Sequence, residues 1–228
     1  MNKSLLFGMI FLFSINLHAQ KPAKDTTAKM INWKDVSNWK SMQPMNVKIS
    51  ADGKWFAYPM LTVEGDGELI VQKIKDTVVK KYSIGGTSMP SFQFSENGRW
   101  LVYKEGPKYK EMQAAMKNPM APRGSDKLYV IDLLKDKKTE FEKVGGFKLN
   151  NKQSTYLAFT ITPDRGGAAP AIAGQAGSMA SRTTSFDLVV LELESGKIIN
   201  IGNVGEFDFN TQGDLLAYAV DAANKIAN

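Results

Sequence analysis

Residues 47 to 58 read VKISADGKWFAY, and residues 92 to 103 repeat the pattern as FQFSENGRWLVY. In each stretch, apolar residues alternate before an Asp-Gly or Asn-Gly pair, and a second apolar segment follows at once. Asp-Gly and Asn-Gly supply the positive φ values that a tight connection between two strands needs. Weaker copies lie at residues 147–159 and 207–218. Each of the four copies predicts a β-hairpin.

A second hairpin pattern lies between successive copies, where short apolar runs are separated by polar turns. The predicted strand pairs are residues 69–74 with 78–84, 128–133 with 140–144, and 188–193 with 197–201. Leu69, Leu128 and Leu188 recur at a spacing of about 60 residues, as expected for a repeat protein. The repeating unit is therefore four antiparallel strands.

This unit predicts an all-β fold, namely a β-propeller segment of about three and a half four-stranded blades in an incomplete ring. Several strands are apolar on both faces, which suits blades that pack between neighbours. A β-sandwich also uses short strands and turn signals, but it does not explain the recurring motif. The propeller segment is predicted at residues 33–228, with blades at about 47–84, 92–144 and 147–201, and an incomplete blade at 207–228.

The N-terminus has the features of a signal peptide. Lys3 supplies a positive charge, and residues 5–17 form an apolar run that is too short and too soon interrupted for a membrane anchor. We expect residues 1–19 to be removed after Ala19 and residues 20–32 to form a flexible lead-in. Export to the periplasm or the extracellular space follows. Because the chain has no cysteine, neither a lipid-modified cysteine nor a disulfide is expected.

The charge pattern disfavours a nucleic-acid partner. The formal net charge is +6, but the lysines are scattered through turns and strand ends rather than gathered in one stripe. Nucleic-acid binding requires clustered positive charge. A solvated surface is the favoured interpretation.

The segment 49–58 (ISADGKWFAY) resembles the Ser-Pro-Asp-Gly-Lys repeat of TolB-like propellers, with Ala51 in place of the usual proline. The same repeat builds the N-terminal propeller of secreted prolyl oligopeptidase and dipeptidyl peptidase family enzymes. The resemblance implies a non-catalytic propeller portion that filters peptide substrates and docks a C-terminal α/β-hydrolase domain, which this chain lacks. The alternative is a free-standing TolB-like periplasmic propeller that binds proteins.

No catalytic residue of that family can be assigned in this chain. His18 is the only histidine and leaves with the signal peptide, so a Ser-His-Asp triad has no general base. The Gly-x-Ser-x-Gly motif is absent, and the nearest string, residues 86–90, is predicted to be a turn between blades. The chain alone is not expected to be an enzyme, whereas the full-length protein would be a serine peptidase.

Cofactor and metal sites are likewise not predicted. Residues 65–67 (GDG) lack the third glycine of a dinucleotide fingerprint and are predicted to be a hairpin loop. The chain has no cysteine and no histidine after position 18, and its carboxylates lack calcium-loop spacing. A carbohydrate-active propeller would need paired carboxylates at the central channel, and no such pair is identified.

Two insertions separate the second and third strands of a blade, and we expect them to rim the same side. Residues 104–127 contain a predicted helix at 108–117, with Met112 and Met116 on one face. This helix either packs against the rim or gates substrate. Residues 162–184 are rich in small residues and predict a mobile loop. Glu111 has no acidic neighbour in sequence, so the substrate-binding residues of dipeptidyl peptidases cannot be assigned.

The coding sequence beyond Asn228 tests the peptidase interpretation. We expect it to supply an outer hairpin and further Asp-Gly repeats, because a ring must close to bury its end faces. A Gly-x-Ser-x-Gly turn, an aspartate and a histidine should then follow in that order. A reading frame that ends once the ring closes would favour the TolB-like alternative.

Overall fold

The computed structural model describes residues 30–118, 120–121, 124–150, 152–162 and 186–220. The predicted signal peptide, most of the lead-in and nearly all of the second insertion lie outside the described residues. What the sequence indicates for these segments stays a prediction.

The first sheet is antiparallel and contains five strands. They are β1 (Lys40–Met42), β2 (Lys48–Ile49), β3 (Trp55–Thr62), β4 (Gly67–Lys73) and β5 (Val79–Gly85). Strands β1 and β2 both pair with β3 and are separated by a short 3-10 helix, Pro44–Asn46. The inner edge of this sheet is thus one interrupted strand. A five-residue helix, α1 (Trp33–Ser37), precedes it and is capped by Asn32.

The second sheet contains four antiparallel strands. They are β6 (Phe92–Phe94), β7 (Trp100–Glu105), β8 (Lys127–Asp132) and β9 (Lys137–Glu142). Helix α2 (Tyr109–Lys117) lies between β7 and β8, which confirms the predicted helix with Lys108 as its N-cap. The prediction that Val144 belongs to this sheet is wrong. The preceding Lys143 has a φ of 58°, which breaks the strand, and Val144 pairs with Ile161 of the next sheet.

The third sheet also has five antiparallel strands. They are β10 (Val144–Leu149), β11 (Tyr156–Ile161), β12 (Phe186–Glu192), β13 (Ile198–Phe209) and β14 (Leu216–Val220). The first half of β13 pairs with β12 and its second half pairs with β14, with register shifts near Val204. The outer strand of the third sheet therefore continues directly into the first strand of the fourth predicted hairpin.

The three sheets and the fourth hairpin pack face to face, which makes the chain an incomplete β-propeller. One buried cluster joins the first two sheets through residues such as Ala57, Leu69 and Tyr103. Another joins the second and third sheets, and a smaller cluster places Phe207 and Phe209 against the third sheet. Burial on both faces explains why the strand sequences are apolar on both sides.

A side-chain hydroxyl organises each of the first two Asp-Gly-type turns. In the first, the Trp55 N–H donates to Ser50 Oγ at 3.0 Å, and this hydroxyl donates to Asp52 Oδ1 at 2.6 Å. In the second turn, Ser95 bonds Trp100 and Asn97 in the same way, at 2.9 and 2.7 Å. The glycine that follows has a positive φ in both turns. The serine thus satisfies a buried N–H where the second strand begins.

Asparagine replaces this serine in the two weaker copies. Asn150 Oδ1 accepts from the Thr155 and Tyr156 N–H groups at 2.9 and 2.8 Å. Asn210 Oδ1 accepts from the Asp214 and Leu215 N–H groups at 3.1 Å each. The asparagine amide oxygen accepts the same kind of hydrogen bond as the serine hydroxyl. The turns therefore have the same hydrogen-bond pattern although their sequences are only weakly similar.

The equivalent turns also bond or contact one another from repeat to repeat. The Asn97 N–H donates to Ser154 Oγ at 3.1 Å, and Asn150 Nδ2 donates to the Gly213 carbonyl at 3.1 Å. A Cβ at Gly98 would collide with the Asp52 carboxylate. The turns therefore form a continuous chain that fixes the spacing of successive repeats at this end of the sheets.

Replacing Ser95 tests this role. Ser95 is 2% exposed, so Ser95→Ala should leave the Trp100 N–H without its side-chain acceptor and lower the free energy of unfolding by about 1–3 kcal/mol. Urea denaturation of both proteins measures the loss. Ser91→Ala, at an exposed position three residues before Phe94, is the control and should change it by less than about 0.5 kcal/mol. Equal effects would contradict the assigned role.

Candidate functional site

One end of the sheets carries the long connections, and we call it the insertion face. It consists of the β3–β4 turn (residues 63–66), the β5–β6 connection (86–91) and the β7–β8 insertion (106–126). Antiparallel pairing places all three at the end opposite the Asp-Gly-type turns. The insertion contacts the first sheet directly, because the Tyr109 N–H donates to Asp66 Oδ1 at 2.8 Å and the Gly86 N–H donates to the Pro107 carbonyl at 2.9 Å.

Helix α2 packs closely on the β5–β6 connection. A Cβ at Gly86 would lie 2.8 Å from Tyr109 Cα and 3.1 Å from Met112 Sδ, so glycine permits this approach. The Glu111 carboxylate caps the helix by accepting from the Lys108 N–H at 3.2 Å. The prediction of a helix that packs against the rim is confirmed, whereas substrate gating stays a prediction. Met116 is 72% exposed at the other end of the helix.

Glu105 is the buried polar group to which the insertion is tied. It ends β7, and Lys108 Nζ donates to its Oε1 at 2.5 Å and to Ser83 Oγ at 2.8 Å. Burial alone would raise the pKa of Glu105, but hydrogen bonds from Lys108, Ser83 and Tyr129 outweigh it and lower that pKa. The carboxylate is therefore held charged between the first two sheets.

Three tyrosines continue this network along the seam between the first and second sheets. The ring centroids of Tyr82 and Tyr103 are 5.5 Å apart, and those of Tyr103 and Tyr129 are 5.0 Å apart. Lys138 Nζ lies 3.6 Å from the Tyr129 centroid, a cation–π contact. Burial raises the pKa of Tyr82 to about 12 and that of Tyr103 further still. The Tyr103 hydroxyl is buried and has no hydrogen-bond partner among the described residues.

A cavity of about 380 Å³ opens beside this network. Its lining alternates carboxylates with ammonium groups and includes one phenol: Glu105, Lys108, Glu111, Lys127 and Tyr129. Lys127 is itself paired with Glu140 and Glu142, and these hydrogen bonds raise its pKa. The lining holds no imidazole, and His18 lies outside the described residues. Such a surface can bind polar groups through charge-assisted hydrogen bonds.

The structure brings Glu111 to the same cavity as Glu105, a neighbour that the sequence did not reveal. Glu105 and the tyrosines were not predicted from the sequence. The sequence could have indicated that Tyr103 and Glu105 are neighbours, because residues two apart in a strand lie on the same face. The pairing of Tyr103 with Tyr129 depends on the register of β7 against β8 across the insertion. The prediction that the two insertions rim the same side involves residues 163–184, which lie outside the described part.

The insertion also reaches the third sheet. Lys104 Nζ lies 2.6 Å from the Asp126 carboxylate and donates to the Gly145 carbonyl at 2.7 Å. Lys104 of β7 thus joins the end of the insertion to β7 and also reaches β10. The described part of this segment is fixed to all three sheets.

Two further features do not occur among the described residues. No helix in this part of the chain is both long and apolar enough to cross a bilayer. No group of three or more histidine, cysteine, aspartate or glutamate side chains in the described ranges is arranged to hold a metal ion.

Replacing Glu105 should produce a pH-dependent loss of stability. Because the folded-state pKa of Glu105 is lowered, its stabilisation is present above its ordinary pKa of about 4.3 and is lost as the pH falls through the folded value. Glu105→Gln should therefore reduce the free energy of unfolding by about 1–3 kcal/mol at pH 7 and by much less at pH 3. Urea titrations at both pH values measure this.

Glu142→Gln is the matched control for that experiment. Glu142 also pairs with a lysine, Lys127 at 3.1 Å, but its side chain is 62% exposed. An exposed ion pair contributes little to stability, so this variant should resemble wild type at both pH values. A loss at Glu105 that is the same at pH 3 as at pH 7 would contradict the role of its charge.

Similarity to known proteins is found in structure rather than in sequence. No family model matches the chain, and no curated protein sequence matches it. Several solved structures do match it.

The chain is similar in structure to the β-propeller domain of the Trilobed protease from Pyrococcus furiosus, with a TM-score of 0.44 and 12% identity over 72% of this chain and 43% of that chain. It is similar to the Pyrococcus horikoshii acylaminoacyl peptidase, with a TM-score of 0.45 and 12% identity over 75% of this chain and 26% of that chain. TolB from Acinetobacter baumannii gives a TM-score of 0.42 and 13% identity over 81% of this chain and 39% of that chain. The chain spans less than half of the length of each of these proteins.

Proposed function

We propose that this chain is the non-catalytic propeller portion of an exported serine peptidase of the prolyl oligopeptidase family. In this proposal the propeller filters peptide substrates and docks an α/β-hydrolase domain of the same protein. The observation that carries the proposal is the insertion face, where an anchored helix, a polar cavity and exposed apolar side chains lie together. The sequence resemblance of residues 49–58 to the propeller repeat of these peptidases supports the same assignment.

Exposed apolar side chains gather at the insertion face. Val63, Met89, Met116 and Met120 are each more than 60% exposed. Met45 is fully exposed in the 3-10 helix, whose neighbours reach the β5–β6 connection: Gln43 Nε2 donates to the Ser88 carbonyl at 3.4 Å, and Asn46 Nδ2 donates to that of Pro90 at 3.3 Å. Exposed apolar patches mark interaction sites, and methionine adapts to differently shaped partners. These side chains suit the docking of a second domain.

The polar cavity suits the filtering role. Its alternating carboxylates and ammonium groups can hydrogen-bond a peptide main chain without selecting one side chain. Because α2 forms one wall, the position of this helix sets the width of the opening. We propose that long peptides meet this wall on their way to the hydrolase domain.

Export is part of the proposal. It depends on the predicted signal peptide at residues 1–19, with the mature protein in the periplasm or outside the cell. A free-standing TolB-like binding propeller is the second candidate, favoured by the repeat itself. In that case the same apolar side chains would bind a separate protein.

Charge introduced at the insertion face tests the docking role in the protein that contains this chain. Met89→Lys with Met116→Lys should weaken contact with the hydrolase domain. Hydrolysis of a peptide of about 30 residues should then increase at least threefold relative to a short chromogenic substrate. The ratio of the two kcat/KM values is the measurement.

Leu134→Lys is the control for this experiment, because Leu134 is 74% exposed in the β8–β9 turn at the opposite end of the sheets. It should leave the ratio unchanged. A double variant that behaves like this control would argue against docking at the insertion face. A protein without any hydrolase domain would favour the TolB-like candidate.

A further inference from the structure

A second cavity, of about 310 Å³, lies between the outer hairpins of the second and third sheets. We call it the hairpin cavity. It borders the β8–β9 and β12–β13 turns, at the end of the sheets opposite the insertion face. Its floor is apolar, and Trp100, Val130, Leu191 and Leu193 there are each at most 8% exposed. A volume of this size lies within the range of about 300–1,000 Å³ that small-molecule sites occupy.

The interface between the first and second sheets shows what fills the same place one repeat earlier. The residues that lie side by side across three strands are Ala57, Val71 and Lys80 in the first sheet, and Val102, Val130 and Thr139 in the second. Lys80 is therefore the equivalent of Thr139. Its ammonium group pairs with the Asp136 carboxylate in the β8–β9 turn. An ion pair thus joins the outer hairpins of the first two sheets.

Both members of this ion pair are missing from the second interface. Thr139 stands in place of Lys80, and Gly196 stands in place of Asp136 in a turn of the same length. Both turn residues have a positive φ, of 53° at Asp136 and 74° at Gly196, which confirms that they are equivalent. Thr139 and Gly196 both line the hairpin cavity.

A third position is shortened in the same way. Lys138 lies in the first interface, where its ammonium group is 3.6 Å from the centroid of the Tyr129 ring. Strand register makes Ile198 its equivalent in the third sheet, and Ile198 also lines the hairpin cavity. The cavity therefore lies where long charged side chains join two sheets one repeat earlier.

The carboxylates beside the hairpin cavity already have partners. Asp132 Oδ2 accepts from Arg99 Nε and Nη2 at 3.2 and 2.8 Å, and its Oδ1 accepts from two backbone N–H groups at 3.0 and 3.1 Å. The same guanidinium group also pairs with Glu194. Neither carboxylate is therefore available to a cationic ligand.

The ammonium groups beside the cavity are available. Among the described residues, Lys137 has no hydrogen-bond or ion-pair partner for its side chain. Lys135 reaches only Glu194, at 4.0 Å, and its side chain is 63% exposed. The hairpin cavity thus combines a buried apolar floor with two cations at its rim, and this combination suits an anion that carries an apolar group.

We propose that the hairpin cavity binds a small organic anion with an apolar body, such as an aryl carboxylate. The apolar body contacts the floor, and the acid group forms charge-assisted hydrogen bonds with Lys137 and Lys135. The ligand joins the second and third sheets at the place where the Lys80–Asp136 pair joins the first two. This site is separate from the cavity at the insertion face, and the proposal does not depend on the peptidase assignment.

Isothermal titration calorimetry with 1-naphthoate tests the proposal on the protein that contains this chain. We expect one site per chain, and we expect 1-naphthamide, which has a similar shape but no charge, to bind at least tenfold more weakly. Lys137→Ala should raise the Kd for 1-naphthoate about tenfold. Lys81→Ala, at an exposed lysine on β5, is the matched control and should leave the Kd unchanged.

A second variant fills the cavity with the residues of the first interface. Thr139→Lys with Gly196→Asp should rebuild the ion pair and abolish binding of 1-naphthoate. Asp136 has a φ of 53° in the equivalent turn, so aspartate is compatible with the conformation at Gly196. Thermal melting checks the fold. 1-Naphthoate should raise the Tm of the wild type but not that of this double variant, because only a ligand that binds the folded state stabilises it.

Three results would overturn the proposal. Absence of 1-naphthoate binding to the wild type would show that the cavity takes no such anion. Equal affinity for 1-naphthamide would show that the lysines do not recognise the charge. Binding that neither Lys137→Ala nor the double variant weakens would place the ligand elsewhere on the protein. Lys137→Ala changes only an exposed side chain, so it decides the outcome even if the double variant does not fold.

Discussion

One side-chain oxygen at the end of the first strand of each repeat holds the hairpin turn in place. Ser50, Ser95, Asn150 and Asn210 occupy this position, and each oxygen accepts from backbone N–H groups at or near the start of the second strand. Hydrogen bonds and close contacts made by other atoms of these turns join each turn to the next. The side chains buried between successive sheets depend on the spacing of these turns.

The two ends of the sheets differ in how regular their connections are. The end with Asp-Gly-type turns is short and repetitive, since its hydrogen bonds must be the same in every repeat. The insertion face is irregular, because its connections need only return the chain to the next strand. Glu105 and Lys108 lie at this end, whereas Tyr103 and Tyr129 belong to the buried cluster that joins the first two sheets. This difference between the two ends explains how regularly stacked sheets can carry an insertion face that differs from repeat to repeat.

The hairpins and the repeat were predictable from sequence, because Asp-Gly and alternating apolar residues act locally. Helix α2 was predictable because the pattern that indicates a helix at residues 108–117 is also local in the sequence. The buried network at Glu105 was not, because Ser83, Glu105 and Tyr129 belong to three strands that meet only after the sheets stack. The assignment of Val144 failed because a single residue, Lys143, adopts a left-handed conformation that its side chain does not require. The continuation of β13 into the fourth hairpin was missed because residues 202–206 contain two glycines and resemble a loop.

Helix α2 spans the seam between the first two sheets. Its N-terminal residues bond Asp66 of the first sheet, while Lys108 bonds Glu105 at the end of the second. A small rotation of one sheet against the other must therefore either break one of these bonds or tilt the helix. Because the same helix also forms a wall of the cavity at the insertion face, the shape of the opening depends on how these two sheets are oriented.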